Sequence, residues 1–366
     1  MKAWMFQPVT YVPRNPLPQV WPLPGAEYDR EIGAHSFRNA IQQAVVAEQL
    51  GLDGISVAEH HYAAASLTPN PTILAGVLSQ RLNRATVALL GATPPLHNPL
   101  RVAEEYAMLD NLLGGRFVAG LLRGTPNEFL TYGTNPDETR EKYEEGIELL
   151  LKAWSEPYPF SWQGRHYQFR TVSVWPRPLQ QPRPPLFISG NSKESGSIAA
   201  RLHLNMGLSF CPVPVAGQLS AFFREQAAKA GWEPTADNLL YRGFIHVAET
   251  DQKALEEVGY TYWRLPNAAP LPQPVPQQTA PVGAATATAP AAVDVSKALS
   301  ADQFASMGLQ FCGSPESVLQ QIRTLRDATG VGIIDFVFQG PSLPHTMLMR
   351  SLELFGKEVL PRMHEL

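Results

Sequence analysis

The stretch Gly51-Leu52-Asp53-Gly54-Ile55-Ser56-Val57-Ala58-Glu59-His60-His61-Tyr62 decides how the rest of the chain is read. An amphipathic run, Phe37 to Leu50, leads into it. A short apolar strand then ends abruptly in a carboxylate, two imidazoles and a phenol. In a repeating β/α protein, polar residues at the carboxyl end of a strand stand at the barrel mouth, where chemistry is usually placed.

The alternation continues in both directions. Short apolar strands are predicted at Ala3–Gln7, Gly54–Ala58, Thr86–Leu90, Phe117–Leu121, Leu186–Ser189, Met206–Phe210, Phe244–Val247 and Ile333–Phe338. Their near-continuous hydrophobicity suits parallel strands covered on both faces. Helices are predicted between them, among them Ser36–Leu50, Asn98–Leu113 and Asp137–Ala153. The last opens with acidic residues suited to a helix N-terminus. Ser314-Pro315 reads as an N-cap followed by proline at the first helical position. Eight such units predict one α/β domain over residues 1–366, a (β/α)8 TIM barrel with insertions at its C-terminal face. A doubly wound open sheet is the rival. Pro8 to Gly25, rich in proline and aromatics, is expected to be an ordered loop over a barrel end. Leu265–Val293 has no charge and repeated prolines among Ala, Gln and Thr. That composition suits an inserted linker, disordered or polyproline-like, or a mobile lid.

The chain has 366 residues, 44% of them hydrophobic and 17% charged, with a net charge of -4. It therefore has material for a large core and no general pull toward nucleic acid. Cys211 and Cys312 are too few for a disulfide framework and lack metal-ligand spacing, so buried free thiols in a reducing compartment are expected. The N-terminus is too short and soon too polar for a signal peptide, and no apolar stretch approaches the roughly 20 residues of a membrane helix. A cytoplasmic protein is expected.

Glu59-His60-His61 has three readings: metal ligands, hydrogen bonding within the mouth, or proton transfer by an imidazole. Metal binding lacks supporting His-x-His or His-Glu-x-x-His spacing. Arg123 closes another strand and could hold a phosphate, or could make an ordinary salt bridge. Arg140, near a helix start, alone reads as a surface residue. Leu186-Phe187-Ile188-Ser189-Gly190-Asn191-Ser192 is a strand and glycine turn entering a helix, which offers backbone N–H groups to a phosphate.

In order, these pieces resemble the bacterial luciferase-like family of flavin-dependent monooxygenases. The matching residues include Leu52 to Tyr62, Leu67-Thr68-Pro69-Asn70-Pro71, Asn98 to Glu105, Leu109 to Phe117, Arg123-Gly124, Arg177-Pro178-Leu179-Gln180 and Ile188 to Ser192. The resemblance implies reduced FMN, supplied by a separate reductase, bound at the carboxyl ends of the strands. It places His60 on the active-site histidine and Glu59 on the neighbouring carboxylate, expected to orient it. Leu90-Gly91 falls where members often carry a non-proline cis peptide beneath the flavin ring. Arg123, Arg140, Gly190, Asn191 and Ser192 fall on the phosphate site. A homodimer and a small, apolar substrate are also implied.

Three departures stand out. Leu122 replaces a reactive cysteine, His97 precedes Asn98-Pro99 where the family has His-Pro, and Gly190 replaces a phosphate-loop glutamate. Phosphate binding should therefore lean on backbone N–H groups. Trp4, Phe6, Tyr62, Phe210 and Trp263 are candidates for a substrate pocket. A deazaflavin-dependent hydride-transfer enzyme on the same barrel, and a non-catalytic flavin-binding subunit, are the alternatives.

Overall fold

A computed structural model describes residues 1–18, 20–258, 309–340 and 342–366. Trp263 and the stretch Leu265–Val293 lie outside the described residues. In chain order the strands are β1 (Lys2–Phe6), β2 (Gly54–Val57), β3 (Thr86–Leu89), β4 (Phe117–Leu121), β5 (Phe160–Gln163), β6 (Gln168–Val172), β7 (Leu186–Ser189), β8 (Asn205–Ser209), β9 (Leu239–Val247), β10 (Gln310–Gly313) and β11 (Ile333–Val337). Eight of them pair in parallel as the ring β1-β2-β3-β4-β7-β8-β9-β11. The ring closes because β9 pairs with both β8 and β11, and β11 returns to β1. A closed ring leaves no stave with an unpaired edge. The open-sheet rival is thereby excluded.

Alternate residues divide between inside and outside, as strand pleating requires. Ala3, Met5, Val87, Leu89, Phe117, Ala119, Tyr241 and Ile334 pack outward in the main core. Trp4, Ala88, Val118, Phe187, Leu240 and Ile333 form an inner apolar layer. Trp4 is thus a core residue against Phe187, not a pocket wall. Gly54 is required beside it, since a Cβ there would lie 2.7 Å from the indole.

The next layer toward the mouth is polar. The Arg242 Nε–H donates to Asp335 Oδ2 at 2.8 Å, and the Ser56 hydroxyl donates to the same carboxylate. Arg242 also lies over the Phe6 ring, 3.9 Å from its centroid, a stacking that favours a weakly hydrated guanidinium. Burial pushes the Asp335 carboxyl up, against the Arg242 charge and the Ser56 hydrogen bond. Phe6, Ala58, Val337 and Phe244 cap this layer.

The eight predicted strands are the eight staves, with one shift. The seventh was expected at Phe244–Val247, whereas the stave begins at Leu239 and its far end instead pairs with β10. Arg242 and Gly243 interrupt the apolar run there, and the Asp335 partner that makes Arg242 tolerable is 93 residues away. The β5–β6 hairpin and β10 were not predicted. The helix expected from Ser36 begins at Arg30, with the Asp29 carboxylate accepting from Glu31 and Ile32 N–H. Both cysteines are buried and free. Among the described residues no helix is long and apolar enough to cross a membrane.

Removing one member of the inner ion pair should cost far more than removing both. Asp335→Asn leaves Arg242 buried without a counter-charge and should lower unfolding free energy by about 3–5 kcal/mol in a denaturant titration. Arg242→Met with Asp335→Leu should recover most of that loss.

Candidate active site

Glu59 follows β2 and is almost fully buried. Its Oε1 lies 3.0 Å from His61 Nε2 and 2.8 Å from His97 Nε2, while Oε2 accepts the Thr93 N–H. Burial opposes its ionisation, but these donors hold its pKa at about 2. An ionised carboxylate only accepts, so both imidazoles present Nε2–H to it. For His97, burial opposes the charged form but the Glu59 contact outweighs it and raises the pKa. Tyr132 packs edge-on against both rings, at 5.1 and 5.7 Å.

This geometry corrects one expectation: Glu59 does not orient His60. His60 Nδ1 instead lies 3.4 Å from Glu128 Oε1. Glu128 is buried and fixed by a capping box, accepting from the Thr125 N–H and hydroxyl at the start of the helix Pro126–Thr131. Burial raises its pKa, but the His60 and Thr125 hydrogen bonds prevail and lower it. With Nδ1 committed to Glu128, His60 keeps Nε2 available. The helix follows directly on Arg123-Gly124, so the contact joins the loops after β2 and β4.

Arg123 and Arg140 are exposed, and neither side chain makes a hydrogen bond among the described residues. The charges of both nevertheless act on one carboxylate. The Glu194 carboxyl is held below its usual range by its own backbone N–H and by Ser192, and then by the charges of Arg140 and Arg123. Glu194 lies in the first turn of the helix Lys193–Arg201, whose N-cap is Ser192. Gly190 closes the turn tightly, since a Cβ there would lie 2.4 Å from Ser195 Oγ. The Asn191 side chain is already committed: it donates to the Ser209 carbonyl and accepts the Ser209 N–H. Its side chain is thereby fixed in orientation, with one Nδ2–H left over. Two guanidinium groups facing one helix start suit a phosphate dianion.

The Leu90-Gly91 peptide is cis. The Gly91 carbonyl accepts the Glu59 N–H, and a Cβ on Gly91 would lie 2.1 Å from the Gly120 carbonyl oxygen. The glycine is therefore a steric requirement where β3 and β4 pass at the rim. Of the aromatic candidates, Tyr62 lines a cavity beside His60, Phe6 stacks against the Arg242 guanidinium, and Phe210 stacks on Phe244. Among the described residues, no group of three His, Cys, Asp or Glu side chains is placed to hold a metal ion.

The family model for luciferase-like monooxygenases matches residues 19–331. The chain belongs to that family. Among relatives of this luciferase-like chain is the alkanal monooxygenase alpha chain of Photobacterium leiognathi, 28% identical over 58% of this chain and 60% of its own. Another is the oxygenase component of a flavin-dependent trigonelline monooxygenase from Acinetobacter baylyi, 24% identical over 49% and 50%. The chain spans about half the length of two further relatives that it matches at 33% identity. The fold matches the oxygenating constituent of 3,6-diketocamphane monooxygenase from Pseudomonas putida, solved with FMN, at TM-score 0.76 and 19% identity over 99% and 98% of the two chains.

His97, Glu128, Tyr132 and Arg242 were not singled out as site residues. Glu128 carried a signal, the Thr125-x-x-Glu128 capping pattern, and His97 stood one place before the family's His-Pro position; Tyr132 and Arg242 depend on contacts between distant segments.

Two outcomes are expected for this luciferase-like site. Glu194→Gln removes the anion that competes at the helix start and should tighten binding of a phosphate-bearing flavin by roughly 3–10-fold, while Arg123→Ala should weaken it by about 10–100-fold, read by fluorescence titration. The His97–Glu59 contact should stabilise by about 1 kcal/mol. The raised His97 pKa means this gain is complete below about pH 6.5 and lost as pH rises through the higher folded value. The depressed Glu59 pKa means it is also lost as pH falls from about 4.5 toward 2. Melting temperatures of the protein and His97→Gln should therefore differ most near pH 5–6 and converge at both extremes.

Proposed function

We propose that this chain is the oxygenase component of a two-component monooxygenase that uses reduced FMN from a separate reductase, and molecular oxygen, to oxygenate a small apolar substrate. The observation that carries the reading is the placement of Arg123 after β4 and of the Gly190–Ser192 turn after β7, on the same barrel rim as the His60–Glu128 pair. The relative named as an oxygenase component and the structure solved with FMN support it. Arg123, Arg140 and the backbone N–H groups of Asn191 and Ser192 would hold the phosphate, the Gly190 N–H being donated to the Gly207 carbonyl, and the Leu90-Gly91 segment would support the ring. When bound, the reduced flavin supplies the electrons that make oxygen reactive.

Glu128 fixes His60 with Nδ1–H donating, so Nε2 is the atom that takes a proton from the substrate or returns one to a departing oxygen. The Glu59–His61–His97 network holds the adjacent wall rigid, and Arg242 keeps a positive charge beneath the mouth. A homodimer accords with the exposed Ile73, Val77, Met108 and Leu112 on the helices Pro71–Ser79 and Pro99–Leu112. Action in the cytoplasm completes the reading.

Titration with FMN and with a deazaflavin tests the cofactor; preferential binding of the deazaflavin would overturn this assignment. His60→Ala should leave FMN affinity within about 2-fold and cut product formed per oxygen consumed by roughly 10²–10⁴. Glu128→Gln should cost less, about 10-fold, and displace the pH–rate profile, because the imidazole loses its anionic partner.

A further inference from the structure

A second cavity, of about 210 Å³, lies behind the end of β1, between the helix Arg30–Leu50 and the start of the helix His345–Leu354. Among the described residues, none lines both this cavity and the one beside His60. On the first helix Ser36, Asn39, Ala40 and Gln43 recur at the i, i+3, i+4 and i+7 spacing of a core-facing stripe. Three of these four are polar, where a packing stripe would be apolar. Ser36 and Gln43 are 8% and 3% exposed, and polar groups so buried are costly unless they are used.

A directed chain of hydrogen bonds sets the chemistry of one wall. The Val9 N–H, which can only donate, reaches Gln7 Oε1 at 3.1 Å. Val9 holds a left-handed backbone, φ 53°, which a β-branched residue keeps only where its surroundings impose it. Gln7 Nε2–H donates to the Ala40 carbonyl at 3.2 Å and to Gln43 Oε1 at 2.7 Å. Gln43 must therefore turn Nε2 toward His345, and it donates to Nδ1 at 3.0 Å. The imidazole is thereby held neutral with its proton on Nε2, and burial and then the His35 charge push its pKa down. That Nε2–H has no partner among the described residues. Gln339 is fixed in the opposite sense: its Nε2–H donates to the Gly340 and Leu343 carbonyls at 2.7 and 3.3 Å. Its Oε1 is left as an unpartnered acceptor, although the residue is only 8% exposed. The buried Ser36 hydroxyl also has no partner among the described residues. Val12, Ile32 and Leu343 supply apolar wall, and no Lys, Arg, Asp or Glu is among the described lining residues.

We infer that this cavity binds a small uncharged molecule with a primary carboxamide head on an apolar body. A carboxamide carries its acceptor oxygen and its donor NH2 as separate atoms, which match His345 Nε2–H and Gln339 Oε1. A carboxylate has no proton to donate and would find no fixed cation for its charge. The volume of about 210 Å³ falls below the ~300 Å³ at which drug-sized sites begin, so the occupant is small. Binding here requires neither flavin nor oxygen.

Ligand-detected NMR titration of the full chain with benzamide, benzoate and toluene tests it, at about pH 8, above the ordinary imidazole range. Benzamide should bind, and benzoate and toluene should each bind at least ~10-fold more weakly. Asn39→Trp, at a half-buried position and with an unchanged melting temperature, should fill the cavity and weaken benzamide at least ~10-fold. Ser36→Ala should weaken it by ~3–10-fold through one lost hydrogen bond. Ala64→Trp, which fills the separate cavity beside His60, should leave benzamide affinity within ~2-fold. The proposal fails if benzamide does not bind, or if benzoate binds as well. It fails equally if Ser36→Ala or folded Asn39→Trp binds benzamide undiminished, or if Ala64→Trp abolishes that binding.

Discussion

A carboxylate with almost no access to water gathers the mouth of this barrel. Glu59 accepts hydrogen bonds from His61 beside it, and from His97 and Thr93 after β3, while its own N–H reaches Gly91. An isolated buried charge would be costly, and three donors make it a fixed point instead. The loops that follow β2 and β3 are thereby held in one relation. His60 inherits its position from that fixed point, then receives its own partner from the helix that begins at Thr125.

Division of labour between two neighbouring carboxylates follows. Glu59 is spent on structure, and Glu128 on the imidazole that faces the opening. Sequence adjacency suggested the opposite pairing, because Glu59 and His60 are consecutive. Consecutive residues at a strand's end point in different directions, so His61, two positions on, is the one that meets Glu59. The same geometry separates the two basic elements. Arg242 is locked into the barrel interior by Asp335, whereas Arg123 and Arg140 stay exposed beside the helix start.

The barrel was legible because its staves are short apolar segments punctuated by helix signals such as Ser314-Pro315. The turn Gly190-Asn191-Ser192 was legible too, since it follows a strand and opens a helix. What escaped was set by tertiary partnership. Leu239–Gly243 carries a charge that only Asp335 makes acceptable inside, so its stave character was hidden. The β5–β6 hairpin carries mixed polarity, with alternate residues exposed, which a search for fully apolar strands passes over. His97 shows in the sequence only as a histidine one place out of position, and its role emerges when the fold brings it within 2.8 Å of Glu59.

β9 runs past the rim of the barrel, and β10 lies alongside its overhanging end. Just beyond, the Asp251 carboxylate accepts from the Ser314 N–H and the Ser317 hydroxyl, so two chain segments far apart in sequence are riveted together. This outboard ledge makes the barrel indifferent to how much chain is spliced between residues 258 and 309. Doubling the length of a spliced piece costs only about 0.6 kcal/mol in closure entropy when its ends are already held side by side. Lineages can therefore lengthen, shorten or rewrite that stretch without re-engineering the staves beneath it.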